Sequence, residues 1–533
     1  MAKGKAPSGK AGAAVKKANA FSLEHGAGGL SYAETIAILF GAFMLLIIGR
    51  MRDIFRKFLN LVLRGGQKSR VDAKGMAPLF SDFESFYTRR FYRRIQDCFN
   101  RPICSAPDGW TQVMLRKPTK APSGETYMAP TKETKFCLNL ASYNYLGFAN
   151  QDAYCTPRVV ETLMQYGASA CSPSLEAGST PVVRELETST AEFLRKEAAV
   201  VFGMGFATNS TVLPTLCGKG SLVLSDSLNH LSIVAGLRSS GATTRIFQHN
   251  DAESLESILR WAIADGQPRT HRPWKNVLIV VEGIYSMEGE TTFLREAVRI
   301  KKKYGAYLFL DEAHSIGAMG ATGRGLCEAA GVDMEDVDIL MGTYTKSFGS
   351  CGGYIAGDRD VIRGIRLSSP GTLAAASMAP AAAEQALSAL KLIMGRDGTE
   401  RGVRKIRRLH AMSNWCRVKM MDMGLDVLGD WDSAVIPIMI ISGGKIPTFS
   451  RLMLERNVAC VVVGFPATPL MGARARLCIS AGHTLEDLRY AIQCIDEVTD
   501  LLMLKYRKAS PLPVPERYRK QMPEWERLAA MEE

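Results

Sequence analysis

One lysine stands where chemistry could happen. The stretch Gly342 to Tyr354 reads GTYTKSFGSCGGY and places Lys346 among small hydroxyl residues and glycines, directly after a mostly apolar run, Val337 to Met341. A lysine at the end of a buried strand loses hydration, so its pKa falls and its amine can attack a carbonyl such as the aldehyde of pyridoxal phosphate (PLP). Thr343 and Thr345 are then placed to hold a phosphate, and the glycines let the backbone approach a cofactor closely. Taken alone, the segment reads equally well as a surface lysine in a Gly/Ser turn.

Other residues point the same way. Asp311, Glu312, Ala313 and His314 follow the apolar run Tyr307 to Leu310. A carboxylate at a strand end can pair with a protonated pyridine nitrogen and keep the ring an electron sink. Asp311 is the candidate for that pairing, Ala313 leaves room for a flat ring, and His314 is available to its phenolic oxygen. The same four letters, DEAH, also occur as a helicase nucleotide motif, but no GxxxxGK[ST] loop precedes them. After Leu222 to Leu224, the stretch Asp226, Asn229, His230, Ser232 offers a histidine able to stack on a cofactor ring, although a lone histidine is more often structural. Gly203 to Asn209 (GMGFATN) is a glycine turn entering a helix, so the backbone N–H groups near Gly205 and Phe206 can receive a phosphate. Glu282, Gly283 and Ser286 close the run Val277 to Val281. Arg474 and Arg476 lie two apart in RARLCISAGHT and face the same way on a strand, so either could clamp a substrate carboxylate.

These residues need a scaffold. At 533 residues and 47% hydrophobic composition, the chain can bury large cores. Apolar runs at Ala199 to Phe202, Leu222 to Leu224, Val277 to Val281, Tyr307 to Leu310 and Val337 to Met341 alternate with amphipathic segments such as Pro181 to Ala199 and Thr292 to Tyr304. Such runs, with little polar alternation, suit a mostly parallel sheet covered on both faces, and ligands bind beyond the carboxyl ends of its strands. The fold class is α/β. After about Gly395 a long basic helix, Arg401 to Met423, leads into a smaller α+β domain with strands near Ala434 to Ile441 and Ala459 to Val463 and a helix from Leu485 to Tyr506. The expected division is a basic, disordered segment over 1–30, a membrane helix and basic amphipathic segment over 31–70, a lead-in over 71–150, a large domain over 151–395, a small domain over 396–508 and a tail over 509–533. The Pro-rich stretch Pro511 to Pro515 reads as a surface strap.

The run Thr35 to Gly49 (TIAILFGAFMLLIIG) is uncharged but short of the ~20 apolar residues of a spanning helix. A membrane helix is the expectation and a monotopic anchor the alternative; a cleaved signal peptide is disfavoured because Arg50 and Arg52 follow the run. Ile54, Phe55, Phe58, Leu59 and Val62 then recur at helical spacing among basic residues, as on a bilayer surface, and the positive-inside rule puts the Arg50 to Arg70 side in the cytosol. Twelve cysteines without CxxC or zinc-like spacing agree with a reducing compartment. The net charge of +13 is concentrated before Lys120 without a nucleic-acid motif, so a membrane surface, not nucleic acid, is the expected partner.

As a set, SYNYLGF (Ser142 to Phe148), GMGFATNS, LNH (Leu228 to His230), VEGIYSMEG (Val281 to Gly289), LDEAHSIGA (Leu310 to Ala318), the lysine segment, VVVGFPATP (Val461 to Pro469) and RARLCISAGHT occur in one order over roughly Asp82 to Tyr506. That order resembles the α-oxoamine synthases, PLP enzymes of the aspartate aminotransferase fold (fold type I). It is most similar to the catalytic, second long-chain-base subunits of eukaryotic serine palmitoyltransferases. The resemblance implies condensation of L-serine with a long-chain acyl-CoA, typically palmitoyl-CoA, to give 3-ketodihydrosphingosine, CO2 and CoA. It implies that Lys346 holds PLP covalently and then serves as base, that His230 stacks on the ring and orients the serine carboxylate, and that Asp311 pairs with the pyridine. Thr343 and Thr345 bind phosphate, with Gly205, Phe206, Ala313, His314 and Ser286 also on the cofactor. Arg476, chosen over Arg474 by motif register, takes the substrate carboxylate, and Asn144 and Tyr145 line the mouth of the site.

The resemblance further implies an obligate heterodimer with a homologous first subunit lacking the lysine, small membrane activators and regulatory membrane proteins, and an endoplasmic reticulum location with the catalytic domain facing the cytosol. Two stretches depart from the pattern. Ser174 and Val183 stand where relatives commonly carry Arg and His, and Thr372 to Ser377 (TLAAAS) lacks an expected aromatic residue. They bear on acyl-chain preference and partner contacts, not on the PLP chemistry. A sister condensation using glycine or alanine, or a catalytically dead membrane scaffold, are the alternatives; the membrane segment argues against the first and the presence of Lys346 against the second.

Overall fold

The computed structural model describes residues 32–63, 86, 92–99, 101–120, 126–465, 467–508 and 511–530. The stretch 1–30, expected to be disordered, lies outside the described residues; within the lead-in the described residues include the short helical turns Tyr92–Arg94 and Gln96–Phe99.

Two sheets carry the architecture. The larger contains β3 (Ala198–Phe202), β4 (Leu222–Asp226), β5 (Thr243–Phe247), β6 (Val277–Glu282), β7 (Tyr307–Asp311), β8 (Ile339–Thr343) and β9 (Gly353–Gly357) in the order β3-β9-β8-β7-β6-β4-β5. All its pairings are parallel except those of β9, which runs antiparallel to both β8 and β3. Alternate residues of one strand feed two different cores. Val223, Val280, Phe309 and Met341 pack on one face with Val212 and Leu213 of the helix Gly205–Leu216. Leu224, Val281, Leu310 and Leu340 point to the opposite face. Burial on both faces explains why these runs show no polar alternation in sequence.

The smaller sheet joins distant parts of the chain. β1 (Trp110–Lys120) and β2 (Thr126–Leu140) form an antiparallel hairpin, and β2 pairs in parallel with β11 (Val458–Val463). β12 (Ala473–Cys478) then lies between β11 and β10 (Val435–Ile441), antiparallel to each. The stretch before residue 150 is therefore more than a lead-in: two of its strands complete the sheet of the C-terminal region. Sequence periodicity could not reveal this, because the pairing of β2 with β11 spans more than three hundred residues. The Pro-rich strap leads into a further helix, Glu516–Ala530, which packs on the helix Arg401–Asp422. Tyr518 stacks on Trp431 with ring centroids 3.9 Å apart, and Trp415 Nε1 donates to Glu526.

The N-terminal apolar run and the basic amphipathic stretch form one unbroken helix, Tyr32–Leu63, of 32 residues. No proline interrupts it, and at 1.5 Å per residue it is about 48 Å long. Its segment Thr35–Phe55 is long and apolar enough to cross a membrane, the one such helix among the described residues. Ile36, Phe40, Phe43, Met51, Ile54 and Phe58 all face outward, so this surface needs a non-aqueous neighbour. The described cysteines form no disulfide.

Leu224, fully buried on β4, tests the two-faced core. Leu224→Ala should cost about 3 kcal/mol of unfolding free energy, read as a lower denaturant midpoint at unchanged slope.

Candidate active site

The carboxyl ends of β6, β7 and β8 lie side by side. Glu282 is register partner of Asp311, and Asp311 of Met341. Beyond β8 the chain turns through Lys346 and returns as β9. The result places one amine and two carboxylates in a common buried space. Burial pulls the Lys346 amine down to about 8, while Asp311 and then Glu282 hold it up by attraction. Burial, reinforced by Asp311, pushes the Glu282 carboxyl well above the usual range. Lys346 is thus no surface residue; at neutral pH a fraction on the order of one tenth is already the free amine.

Asp311 is held rigidly. Its Oδ1 accepts from the Ala313 N–H (2.9 Å) and its Oδ2 from Asn209 Nδ2 (2.7 Å). Asn209 Nδ2 also donates to Ser232 Oγ (3.0 Å), which lies 2.7 Å from His230 Nδ1. His230 caps the helix Leu231–Ser240, and its own backbone N–H donates to Glu282. Burial lowers the pKa of His230, with Lys346 lowering it further and Asp311 opposing. Phe206 meets the His230 ring edge-on at 6.1 Å.

The phosphate-side residues converge too. The helix Gly205–Leu216 begins without a side-chain cap, which leaves its first-turn amides free for an anion. A methyl group at Gly205 would stand 2.8 Å from Thr343 Oγ1, so only glycine allows this approach. Thr343 itself is buried and donates to the Gly352 carbonyl (2.8 Å), while Thr345, 2.8 Å from it, is exposed. Thr345 therefore carries the hydroxyl on the exposed side and donates to Thr343, so Thr343 holds it in place. Ser286 lies half-buried in the loop after β6.

From the smaller sheet, β12 brings two arginines, both buried rather than on a solvated edge. Their partners separate them. Arg474 is spent on Glu288 (3.2 Å) and the Met287 and Gly472 carbonyls (2.9 Å each). Arg476 lies 4.7 Å over the Tyr143 ring, and its buried Nε has no partner. An unpartnered buried guanidinium nitrogen invites an anionic ligand.

Three expected roles change in detail. Asn144 and Tyr145 do not line an opening: Tyr145 is fully enclosed, and Asn144 staples its own loop through the Pro107 carbonyl and the Ala149 N–H. The residue between Ser142 and Asn144 lies at the site instead. The Tyr143 ring has Lys346 Nζ at 5.6 Å, His314 edge-on at 5.3 Å and Arg476 on its face. His314 is engaged through Nδ1 with the Tyr145 hydroxyl (2.7 Å). Which of the two tyrosines of the SYNYLG motif points toward Lys346 depends on the turn geometry, which its spacing does not encode. Asn209 and Ser232 were also not assigned roles, and nothing in a single sequence ranks an asparagine four residues after a glycine turn as a ligand of Asp311.

A group holding a phosphate, a flat ring, a ring cation and a carbonyl fits this set: uncapped amides and Thr345, Ala313 and His230, Asp311, and Lys346 respectively. A family model for class I and II aminotransferases matches residues 135–495. The chain belongs to that family. Within it, the chain is 53% identical over 482 residues to long chain base biosynthesis protein 2a of Arabidopsis thaliana, covering 90% of this chain and 97% of the relative. It is 51% identical over 447 residues to serine palmitoyltransferase 2 of Dictyostelium discoideum, covering 84% and 91% respectively. A solved serine palmitoyltransferase from S. paucimobilis, with bound PLP–myriocin aldimine, superposes with a TM-score of 0.69 at 25% identity, covering 80% of this chain and all of that one. The aminotransferase family assignment agrees with the two-sheet architecture.

Beside the site, Asp226 accepts from His249 Nδ1 (2.9 Å) and from the Leu228 N–H (2.8 Å), and so holds the turn leading to His230. Burial works against a charge on His249, but Asp226 and Glu290 outweigh it and raise its pKa to about 10. This stabilisation is complete below the unfolded histidine value of about 6.5 and is lost as pH rises through about 10. His249→Gln should therefore lower thermal stability at neutral pH, and the gap from wild type should narrow as the melts are repeated toward pH 10.

Proposed function

We propose that the chain is the catalytic subunit of a PLP-dependent serine palmitoyltransferase, condensing L-serine with a long-chain acyl-CoA to 3-ketodihydrosphingosine. The observation that carries this reading is the half-buried Lys346 beyond the end of β8, its amine within the electrostatic reach of Asp311, in a chain about half identical over most of its length to a long chain base biosynthesis protein 2a and to a serine palmitoyltransferase 2. Pyridoxal phosphate, when bound, supplies an aldehyde for primary amines and a cationic ring that draws electrons away from the amino acid Cα.

The chain's own groups do the rest. Lys346 anchors the cofactor, gives way to serine, and then accepts the Cα proton as a free amine, which its depressed pKa allows. Asp311 keeps the ring nitrogen protonated, fixed in place by Asn209 and the Ala313 N–H. With the cofactor bound, His230 would cover the ring and orient the serine carboxylate, and His314, held at Nδ1 by the Tyr145 hydroxyl, would be available to the phenolic oxygen through its other nitrogen. The amides near Gly205 and Phe206, with Thr345 and Ser286, hold the phosphate, and Thr343 braces Thr345. Arg476 takes the substrate carboxylate through its unpartnered face, with Tyr143 as its platform. In balance, a bond forms from serine Cα to the acyl carbonyl carbon and the thioester C–S bond breaks. CoA leaves as the thiol, and the carboxyl group departs as CO2 with a proton returned to Cα.

The chain works in a multi-subunit assembly on a membrane. Its partner in this reading is a homologous first subunit without the lysine, joined by small membrane activators and regulatory membrane proteins. The helix Tyr32–Leu63 anchors it in the endoplasmic reticulum membrane with the catalytic body in the cytosol. The apolar outer face and length of that helix support the anchoring, and the basic residues after the apolar run support the orientation.

Co-expression with the candidate partner, supplied with labelled serine and acyl-CoAs of several lengths, tests the reading. Sphingoid product should form only with the partner present, and Lys346→Ala should abolish both product and the visible absorbance of the bound cofactor. Retained product in that variant overturns the assignment. Arg476→Lys should raise the KM for serine by about tenfold, because an ammonium cannot replace the bidentate fork.

A further inference from the structure

The hydrogen bonds behind His230 fix more than its position. Asp311 carries a carboxylate, which accepts only, so the Asn209 atom 2.7 Å from it must be the amide nitrogen. The second hydrogen of that nitrogen points to Ser232 Oγ at 3.0 Å, and the amide oxygen is left without a partner. Ser232 Oγ thus accepts from Asn209 and has its own proton to give. The atom 2.7 Å away is His230 Nδ1. A second donor reaches the same nitrogen: the backbone N–H of Ser232, at 3.3 Å, because His230 is the N-cap of its helix. Two donors aimed at Nδ1 leave it no room for a proton of its own.

We propose that Asn209 and Ser232 are positioning residues that lock His230 as the neutral tautomer protonated on Nε2, so the ring meets its ligand as a hydrogen-bond donor. The proposal rests on His230 lying over the reacting centre, and it deepens that reading by assigning the direction of the bond. A donor at Nε2 suits an oxygen acceptor: the serine carboxylate before the condensation, or the thioester oxygen as negative charge develops on it. The relay also links the two ends of the cofactor site. One amide, Asn209, touches both the carboxylate that faces the ring nitrogen and the hydroxyl that sets the histidine.

The charged groups acting on the ring are Asp311, which favours the imidazolium, and Lys346, which opposes it; burial favours the neutral form. Glu282 is engaged by the His230 backbone N–H. Asn209, Ser232 and Asp311 are almost fully buried, which shields the bonds among them from solvent, while His230 itself is exposed and offers the outer part of its ring to a ligand.

The test uses full-length chain in its active assembly, labelled with 15N-histidine, with the His230 signals assigned by their loss in His230→Gln. Near pH 7, the wild type should show an unprotonated Nδ1 and a protonated Nε2 with or without cofactor. Ser232→Ala and Asn209→Ala should each give mixed tautomers, a kcat/KM for serine lower by about tenfold, and an acid limb of the pH profile displaced to higher pH, since donors that oppose the imidazolium are gone. A wild-type His230 protonated on Nδ1, or as imidazolium, overturns the proposal without reference to activity. Unchanged tautomer and pH profile in folded Ser232→Ala and Asn209→Ala overturn it as well. Failure of the serine palmitoyltransferase reading would appear separately, as absence of sphingoid product from a wild type whose histidine signals are as expected.

Discussion

A single buried attraction organises this protein: the Lys346 amine enclosed with the Asp311 carboxylate and with Glu282 behind it. Removing a lysine from water penalises its charge by several kcal/mol, and neighbouring carboxylates return only part of that. The balance leaves the amine near 8, able to exist in both protonation states at neutral pH. To hold that balance, the ends of three parallel strands must align to within a residue. The parallel register Glu282–Asp311–Met341 achieves this, and the glycines around Lys346 let the turn fold back into β9 without a clash.

The site then needs a second wall, and the smaller sheet supplies it. β12 carries Arg474 and Arg476 on one face, but the loop after β6 reaches across to only one of them with a carboxylate. Glu288 and the Met287 carbonyl occupy Arg474, which ties the two sheets together. Arg476 keeps an unpaired edge, held above Tyr143. One arginine is therefore tied into the fold through a carboxylate, while its neighbour, touching the Met287 sulfur (3.7 Å) and the Tyr143 ring, keeps its Nε unpartnered. The loop carrying Glu288 is itself braced by Asp430, which accepts from the Thr291 N–H and hydroxyl at 2.7 Å each. Trp431, next along, stacks on Tyr518 of the last described helix. The helix Glu516–Ala530 thus bears on the arginine wall through a short chain of contacts.

The long N-terminal helix shows how a period can be misread when it changes character. The apolar run and the amphipathic run look like two devices in sequence, one to cross and one to lie flat. In three dimensions they are a single rod. Gly49, inside it, faces the Phe86 ring, which also receives the Arg50 guanidinium at 4.3 Å, so the rod touches another part of the chain just where the apolar run ends.

The sequence alone determined the sheet strands that are buried on both faces, the lysine, Asp311 and His230 at their ends, and the α/β class. Each of these depends on local periodicity or on a residue type placed next to a strand, which a one-dimensional reading can see. Tertiary structure decided everything that required two distant segments to meet. It paired β2 with β11 and so built one sheet from both ends of the chain. It turned Tyr143 inward and buried Tyr145, took Arg474 out of service through Glu288, and recruited Asn209 and Ser232 to stand between Asp311 and His230. Hydrogen-bond direction and burial are properties of neighbours in space, and no spacing along the chain encodes them.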